Sequence, residues 1–545
     1  MKKIYYNAKV YLEREKFAEG FAVENGRFIK VGANEEVLIM EEEGDETVDC
    51  AGKTIIPGFN DSHMHLLGMG EYLCKPALGE ARSIDQMVEM CRKYIEEHPE
   101  ETRGGLHACG WNQDLFEDEK RIPDRHDLDR ISTEIPVYLE RICGHVCSGN
   151  TKLIETMGLD ENSPQFEGGD FLIGEDGYPN GIFTENACNP PKDYFPPDDE
   201  DTVIRYLETA VEHAVSFGIT SVQSNDIGTI VMDWRRYFKI LRDYYAGGRG
   251  KLRYRQQNCM LTLDDLEEYI ETEYRHRDEL YPEASLITLG PLKIYMDGSL
   301  GARTAILREP YRDAPEAKGT PWADRETIQK FCDRAAEAGM QVVVHAIGDG
   351  AIEEMIDAYA NTYKDGDEPK NPLRHQLIHC QITDRKLLER IAENNILVSY
   401  QPCFLDYDMT VVERLCGKEI SATSYAFRTM DELLPGYVSY GTDAPVEDCD
   451  PFANIYYAMT RKNAAGTDVF YPEECVDIYT AVDAYTINSA FAEFCEDSKG
   501  RIKEGYLADF AVLDTDIFSV PPEIIKTSRA LETVVGGKTV YRHDE

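Results

Sequence analysis

At 545 residues the chain exceeds one ordinary small domain but suits a barrel with insertions, and 42% apolar with 10% aromatic residues excludes global disorder. A formal charge of −44, from 101 acidic against 57 basic side chains, repels phosphate backbones and anionic lipid, which disfavours nucleic-acid and membrane partners. Fifteen scattered cysteines without a CxxC read as reduced, mostly buried thiols, and the Cys143/Cys147 pair is by itself a weak sign of metal binding. The start, MKKIYYNAKVYLER, has no apolar signal region, and no apolar run reaches the roughly 18 residues that cross a bilayer. The expected location is cytoplasmic.

The first 50 residues read as short strands, with KIYYNAKVYL, GFAVENGRFIKVG and TVDCAGKTIIPG alternating apolar and polar residues about an Asn25-Gly26 turn. The far end reads likewise: ADFAVLD (508–514), then LETVVGGKTVYR about Gly536-Gly537. One small composite β domain is therefore expected from residues 1–54 and 500–545, flanking a unit over 55–499. Within that unit short apolar runs alternate with amphipathic helices, the signal of βα repeats. Eight strands are expected: TIIPGF (54–59), GITSVQ (218–223), LRYRQQNCM (252–260), LKIYM (292–296), QVVVHAI (341–347), RHQLIHC (374–380), ILVSYQ (396–401) and YVSYGT (437–442). Helical patterns TVIRYLETAVEHAVSFG, RETIQKFCDRAAEAG and DRKLLERIAENN precede the second, fifth and seventh. The fold class is α/β, a (β/α)8 TIM-like barrel. The span from about 70 to 215, with its Gly168-Gly169 pair, is too long for a βα loop and reads as an inserted subdomain over the barrel mouth.

The strongest chemical signal is PGFNDSHMHL. On an extended backbone residues i and i+2 face the same side, so His63 and His65 can bind one metal. Further ligand types sit at strand ends: Lys293 in the fourth strand, His345 ending the fifth, His379 ending the sixth, and Asp443 after the eighth. Each alone has an ordinary explanation. In a barrel, however, strand C-termini converge on one mouth, and six ligand-type residues in that order are hard to obtain by accident.

These motifs carry a resemblance. PGFNDSHMHL, KIYMDGSLGARTA, VHAIGDGAI, RHQLIHCQ and GTDAPVEDCDP resemble the amidohydrolase superfamily, specifically its YtcJ-like subgroup, which includes N-substituted formamide deformylases. The likeness extends through GWNQDLF, IPDRHDLDRIS, GHVCSGN, DGYPNGIFTE, TINSA and GRIKEGYLADFAVLD, nearly the whole chain. It implies zinc or another divalent metal, one or two ions, with His63 and His65 on one and His345 and His379 on a second. It places Lys293 where many relatives carry a carboxylated lysine bridge, and Asp443 where an aspartate binds metal and handles protons. An ammonium beside divalent cations is repelled, which favours a neutral or carboxylated Lys293. Asn60, where many relatives have an aliphatic residue, is read as a packing adjustment. Cys147 and Gly149 in GHVCSGN depart from the family and put the substrate wall in doubt.

The expected reaction is hydrolysis of the C–N bond of an amide-like small molecule, an N-substituted formamide or other N-acyl amide. Trp111, His145, Asp297 and Arg303 are candidate substrate contacts, while Asp349 in IGDG reads as a turn stabiliser. The rivals are a deaminase and a catalytically silent regulatory member. Deaminase relatives usually carry a glutamate three residues after the fifth-strand histidine, whereas His345 is followed by Ala346, Ile347 and Gly348. A silent member would have lost a ligand, and none is lost. The partner is a small-molecule substrate; a homodimer is compatible with the sequence, which does not set the oligomeric state.

Overall fold

The computed structural model of the chain describes residues 1–142, 146–166, 169–195, 198–227, 232–282, 285–364, 366 and 369–543. Eight parallel strands form one sheet in chain order: β1 (Phe59–Met64), β2 (Ile219–Ser224), β3 (Arg253–Cys259), β4 (Ile287–Tyr295), β5 (Val342–Ala346), β6 (Gln376–His379), β7 (Leu397–Tyr400) and β8 (Val438–Tyr440). Strands covered on both faces must be apolar on both, which is why β5 and β6 read as unbroken runs. Just beyond β8 the sheet returns to β1: Asp443 N donates to His63 O at 2.8 Å and His65 N to Ala444 O at 2.8 Å. Gly441 permits that approach, because a Cβ there would lie 2.6 Å from His63 N. The amphipathic patterns become helices Glu200–Ser216, Arg325–Glu337 and Arg385–Glu393, the last two N-capped by Asp324 and Asp384.

The first barrel strand differs from expectation. Thr54–Pro57 leaves the barrel and pairs antiparallel with Phe510–Leu513, while β1 begins at Phe59 and contains His63. Proline lacks the donor a central strand needs, and Pro57-Gly58 makes the corner between the two sheets.

Two further sheets involve the chain ends. One has the order 27–32, 20–24, 3–6, 46–49; the other has 538–542, 530–535, 510–513, 54–57, 9–13, 16–18. Asn25 and Gly26 both adopt positive φ, 51° and 78°, the twist a two-residue hairpin requires, and Gly536 and Gly537 repeat it. Tyr5, Phe21, Phe28 and Phe510 pack between these strands. Asn60 corrects the reading given above. It is buried, and its amide donates to Glu493 at 2.6 Å, whose carboxylate also meets Lys499 at 2.6 Å, so it completes a buried polar network.

Residues Leu67–Ala210 form a separate compact unit. Its five-stranded sheet has the order 171–173, 179–184, 146–149, 137–141, 106–111. Helix Ile84–Glu97 buries Met87, Val88 and Cys91 in a core with Leu106, Leu139 and Trp111. Trp111 is therefore a core side chain rather than a substrate contact: it is fully buried, and its indole donates to Leu139 O at 3.0 Å. Trp111→Ala is expected to destabilise this unit by about 3–5 kcal/mol, seen as an early thermal transition, with KM of the remaining folded enzyme unchanged. Cys147 likewise packs in a core, beside Tyr138, Leu153 and Phe183. Every cysteine among the described residues is free, and Cys143 lies outside them. Among the described residues no helix is long and apolar enough to cross a membrane.

Candidate metal centre

β1 and the turn after β8 bring three ligand types together. The donor atoms of His63, His65 and Asp443 lie within 4.8 Å of one another. Nε2 of His63 and Nε2 of His65 are each 3.2 Å from Asp443 Oδ1, and Nε2 of His379 is 4.0 Å from Oδ2. His345 stands beside His379, ring centroids 4.5 Å apart, because β5 and β6 pair Ala346 with His379. His345 Nε2 faces Gly298 O at 3.2 Å, which turns its Nδ1 the other way. Two of these positions have unusual backbone: His379 and Asp443 adopt φ of 71° and 57°, a conformation costing a non-glycine residue on the order of 1–3 kcal/mol. Strain of that size persists where the surroundings over-determine it, as at a ligand site.

Lys293, on β4 between Cys259 and Val343 of the neighbouring strands, is fully buried; its Nζ lies 4.7 Å from the centre of the Tyr295 ring and has no hydrogen-bond partner among the described residues. Burial pushes its pKa down to about 8, against the opposing pull of Asp443 and Cys259. Burial, then the lysine charge, also lowers His63 to about 4 and His345 to about 3. His379 is driven well below its ordinary value by burial and by His345. Burial would raise Asp443, yet His63 and His65 hold its carboxyl well below the usual range. Burial lowers His65 too, but Asp443 outweighs it and the net shift is upward.

These shifts describe an anionic carboxylate among imidazoles of which His63, His345 and His379 resist protonation while His65 takes a proton more readily. The donor set fits a divalent cation on one further observation. Among the described residues Asp443 Oδ1 is buried without a hydrogen-bond donor, while two imidazole nitrogens face it. A proton or a cation must lie among such converging acceptors, and nitrogen with carboxylate oxygen suits zinc-type ions.

The remaining sequence candidates fall elsewhere. Asp297 is buried, and burial raises it to about 7; its carboxylate accepts from Ile306, Ile347 and Gly348 backbone amides at 2.8–3.0 Å, stapling the loop after His345. Its oxygens are thus committed to backbone rather than to a substrate. Arg303 is held by Asp313 at 2.7 and 3.0 Å. Asp349 binds Arg308 at 2.7 Å at the start of helix Asp349–Ala360. His145 lies outside the described residues. A second group, His213, Asp448 and Cys449, also clusters. Its 2.7 Å His213–Asp448 ion pair accounts for it, and burial raises the Cys449 thiol well above its ordinary value.

Sequence reasoning missed Asp61, Gln257, Gln401 and Asn225. Asp61 on β1 accepts from Thr442 Oγ1 at 2.5 Å and from His63 N at 3.1 Å, tying the closing turn to the HxH strand. Its signal was available: an acidic residue two positions before His63, inside the strand that carries the HxH.

A nearly closed parallel barrel with histidines, a lysine and an aspartate at its strand ends is the arrangement of a TIM-like hydrolase. Residues 46–541 match the model of the Amidohydrolase family, and the chain belongs to that family: it is a metal-dependent hydrolase acting on carbon–nitrogen bonds. It is 32% identical to the Bacillus subtilis (strain 168) protein named "Putative amidohydrolase YtcJ", over 99% of each chain. It is 24% identical to the N-substituted formamide deformylase of Arthrobacter pascens, over 98% of this chain and 97% of that one. Among solved structures, an uncharacterized metal-dependent hydrolase from Pyrococcus horikoshii OT3 superposes with a TM-score of 0.78 at 25% identity, covering 96% of this chain and 99% of that one.

Proposed function

We propose that this chain hydrolyses the C–N bond of a small N-acyl amide, an N-substituted formamide among the candidates, with zinc held by His63, His65 and Asp443. The observation that carries the reading is the buried Asp443 Oδ1 facing two imidazole nitrogens with no donor between them. His345 and His379 would serve a second ion, with Lys293 carboxylated between the two. When bound, such an ion lowers the pKa of coordinated water from about 15.7 toward 7 and polarises a carbonyl.

The chain's own residues do the rest. The Asp443 carboxylate, with Nε2 of His63 and of His65 each 3.2 Å from its Oδ1, accepts the proton of the attacking water. It then delivers that proton to the leaving nitrogen, since an amine is too basic to depart as an anion. Lys293, at a pKa of about 8, is neutral in about one molecule in ten at pH 7, and the neutral amine adds to CO2 with loss of one proton. Similarity across 98% of the chain to a deformylase supports the substrate class. The division into a composite β domain (1–54 and 500–545) and a barrel unit (55–499, insertion about 70–215) is part of the same reading.

Two measurements test it together. Elemental analysis of wild type is expected to find about one or two zinc ions per chain, and His63→Ala to lose most of the metal. Undiminished metal in His63→Ala would remove the ligand assignment. Amine release from a panel of N-formyl and N-acyl amides is expected from the loaded wild type, and silence across the panel would sink the substrate class.

A further inference from the structure

We propose that Gln257 and Gln401 are positioning residues. A buried belt of neutral amides and hydroxyls, Gln257–Ser62–Ser399–Gln401, fixes the ring tautomers of His63 and His379 and sets how tightly a divalent cation is held. The inference rests on the metal-binding reading above.

The belt is continuous. Gln257 Oε1 lies 2.7 Å from His63 Nδ1, and Gln257 Nε2 donates to Ser62 O at 3.1 Å. Gln401 Oε1 lies 2.7 Å from His379 Nδ1, and Gln401 Nε2 donates to Ser399 O and Ser399 Oγ at 3.3 Å each. The hydroxyls of Ser62 and Ser399 meet at 2.8 Å and join the halves. All four side chains are at most 1% exposed, so water does not substitute for a missing partner.

The direction of each bond follows from the carbonyls. Reversing either amide would turn its oxygen onto a backbone oxygen and leave a buried N–H pair facing the ring, so the amide oxygen must face the imidazole. Nδ1 of each ring therefore carries the proton, and Nε2 presents its lone pair toward Asp443. His65 follows the same pattern by donating from Nδ1 to the backbone carbonyl of Asn225.

The chemistry of these partners matters as much as their placement. A carboxylate behind a ligating imidazole draws on its N–H and makes the other nitrogen more basic, whereas an amide oxygen does so weakly. Among the described residues the Nδ1 partners of His63, His65 and His379 are all uncharged. The negative charge offered to a cation then comes from Asp443, and from Lys293 if carboxylated. Such a site holds its metal by geometry more than by ligand basicity.

The test is zinc affinity by chelator competition, with the cobalt visible spectrum as a second readout. It uses the full-length wild type, Gln257→Met, Gln401→Met, the double variant, and Gln257→Glu. Methionine keeps the length and loses the acceptor; a buried, protonated glutamate keeps an acceptor for Nδ1–H and donates its O–H to Ser62 O in place of the amide. Each methionine variant is expected to weaken zinc binding about 10- to 100-fold with an altered cobalt spectrum. The double variant should lose less than the product of the singles, because the serine bridge couples the halves. Gln257→Glu should bind zinc at least as tightly as wild type. Affinities of the methionine variants within twofold of wild type would overturn the proposal. So would a Gln257→Glu that weakens binding as much as Gln257→Met, which would mark a purely structural role. If wild type binds no divalent cation, the metal-binding reading fails and takes this one with it; if wild type binds and the variants are indifferent, only this one fails.

Discussion

Asp443→Asn is expected to lower kcat/KM for any amide the enzyme cleaves by about 10²–10⁴-fold, the range typical of lost general acid–base catalysis. The substitution keeps the side-chain volume and removes the group that can take a proton. The effect does not stop there. Asp443 is the common neighbour of His63 and His65 at 3.2 Å and of His379 at 4.0 Å, so its charge is what three imidazoles share. An amide in that place offers no negative charge to a cation, and zinc content should fall with activity. Steady-state kinetics on metal-replete protein, paired with elemental analysis, separate the two losses. Turnover within about tenfold of wild type, at full metal occupancy, would take proton transfer away from Asp443.

Lys293→Ala should cost one or both metals and at least about 10²-fold in activity, with partial rescue by a short carboxylic acid filling the vacated space. The reason is electrostatic. Two unit charges 4 Å apart repel by about 4 kcal/mol at an effective dielectric of 20, and a divalent ion doubles that. A buried ammonium without a hydrogen-bonded counter-charge among the described residues cannot remain beside such an ion, whereas an anionic carbamate offsets the repulsion between two of them. The pH dependence has a definite sign. Burial depresses Lys293 from 10.5 to about 8, so the neutral amine that reacts with CO2 becomes the main form as pH rises through that value. Metal loading in bicarbonate should therefore increase between about pH 7 and 9. Loading that is independent of pH and bicarbonate, with full activity in Lys293→Ala, would leave a mononuclear site of His63, His65 and Asp443.

The amino-acid sequence determined the parts of this protein that depend on near neighbours. The i, i+2 spacing of His63 and His65 is a local property of an extended chain, and it predicts their shared side whatever surrounds them. The turns at Asn25-Gly26 and Gly536-Gly537 are equally local, since φ > 0 is a demand on those residues alone. His345, His379 and Asp443 could be placed at strand ends because each apolar run stops beside them.

What depends on closure of the barrel could not be read this way. That Thr54–Pro57 leaves the barrel is decided by its pairing with Phe510–Leu513, more than 450 residues away. Trp111 looked like a pocket wall because an indole is equally at home in a core, and only packing against Met87, Cys91 and Leu139 separates the two. The belt beneath the histidines is the clearest case. Ser62 and Ser399 are 337 positions apart, and Gln257 and Gln401 sit in runs whose residue types carry no metal signature. Their role exists only once β1, β3 and β7 are brought round one axis. The left-handed backbone at His379 and Asp443 belongs to the same class, because a non-glycine residue adopts it only when the surrounding fold compels it. Ligand identity is written along the strand; ligand orientation is set across the barrel, by partners the chain meets only after it closes.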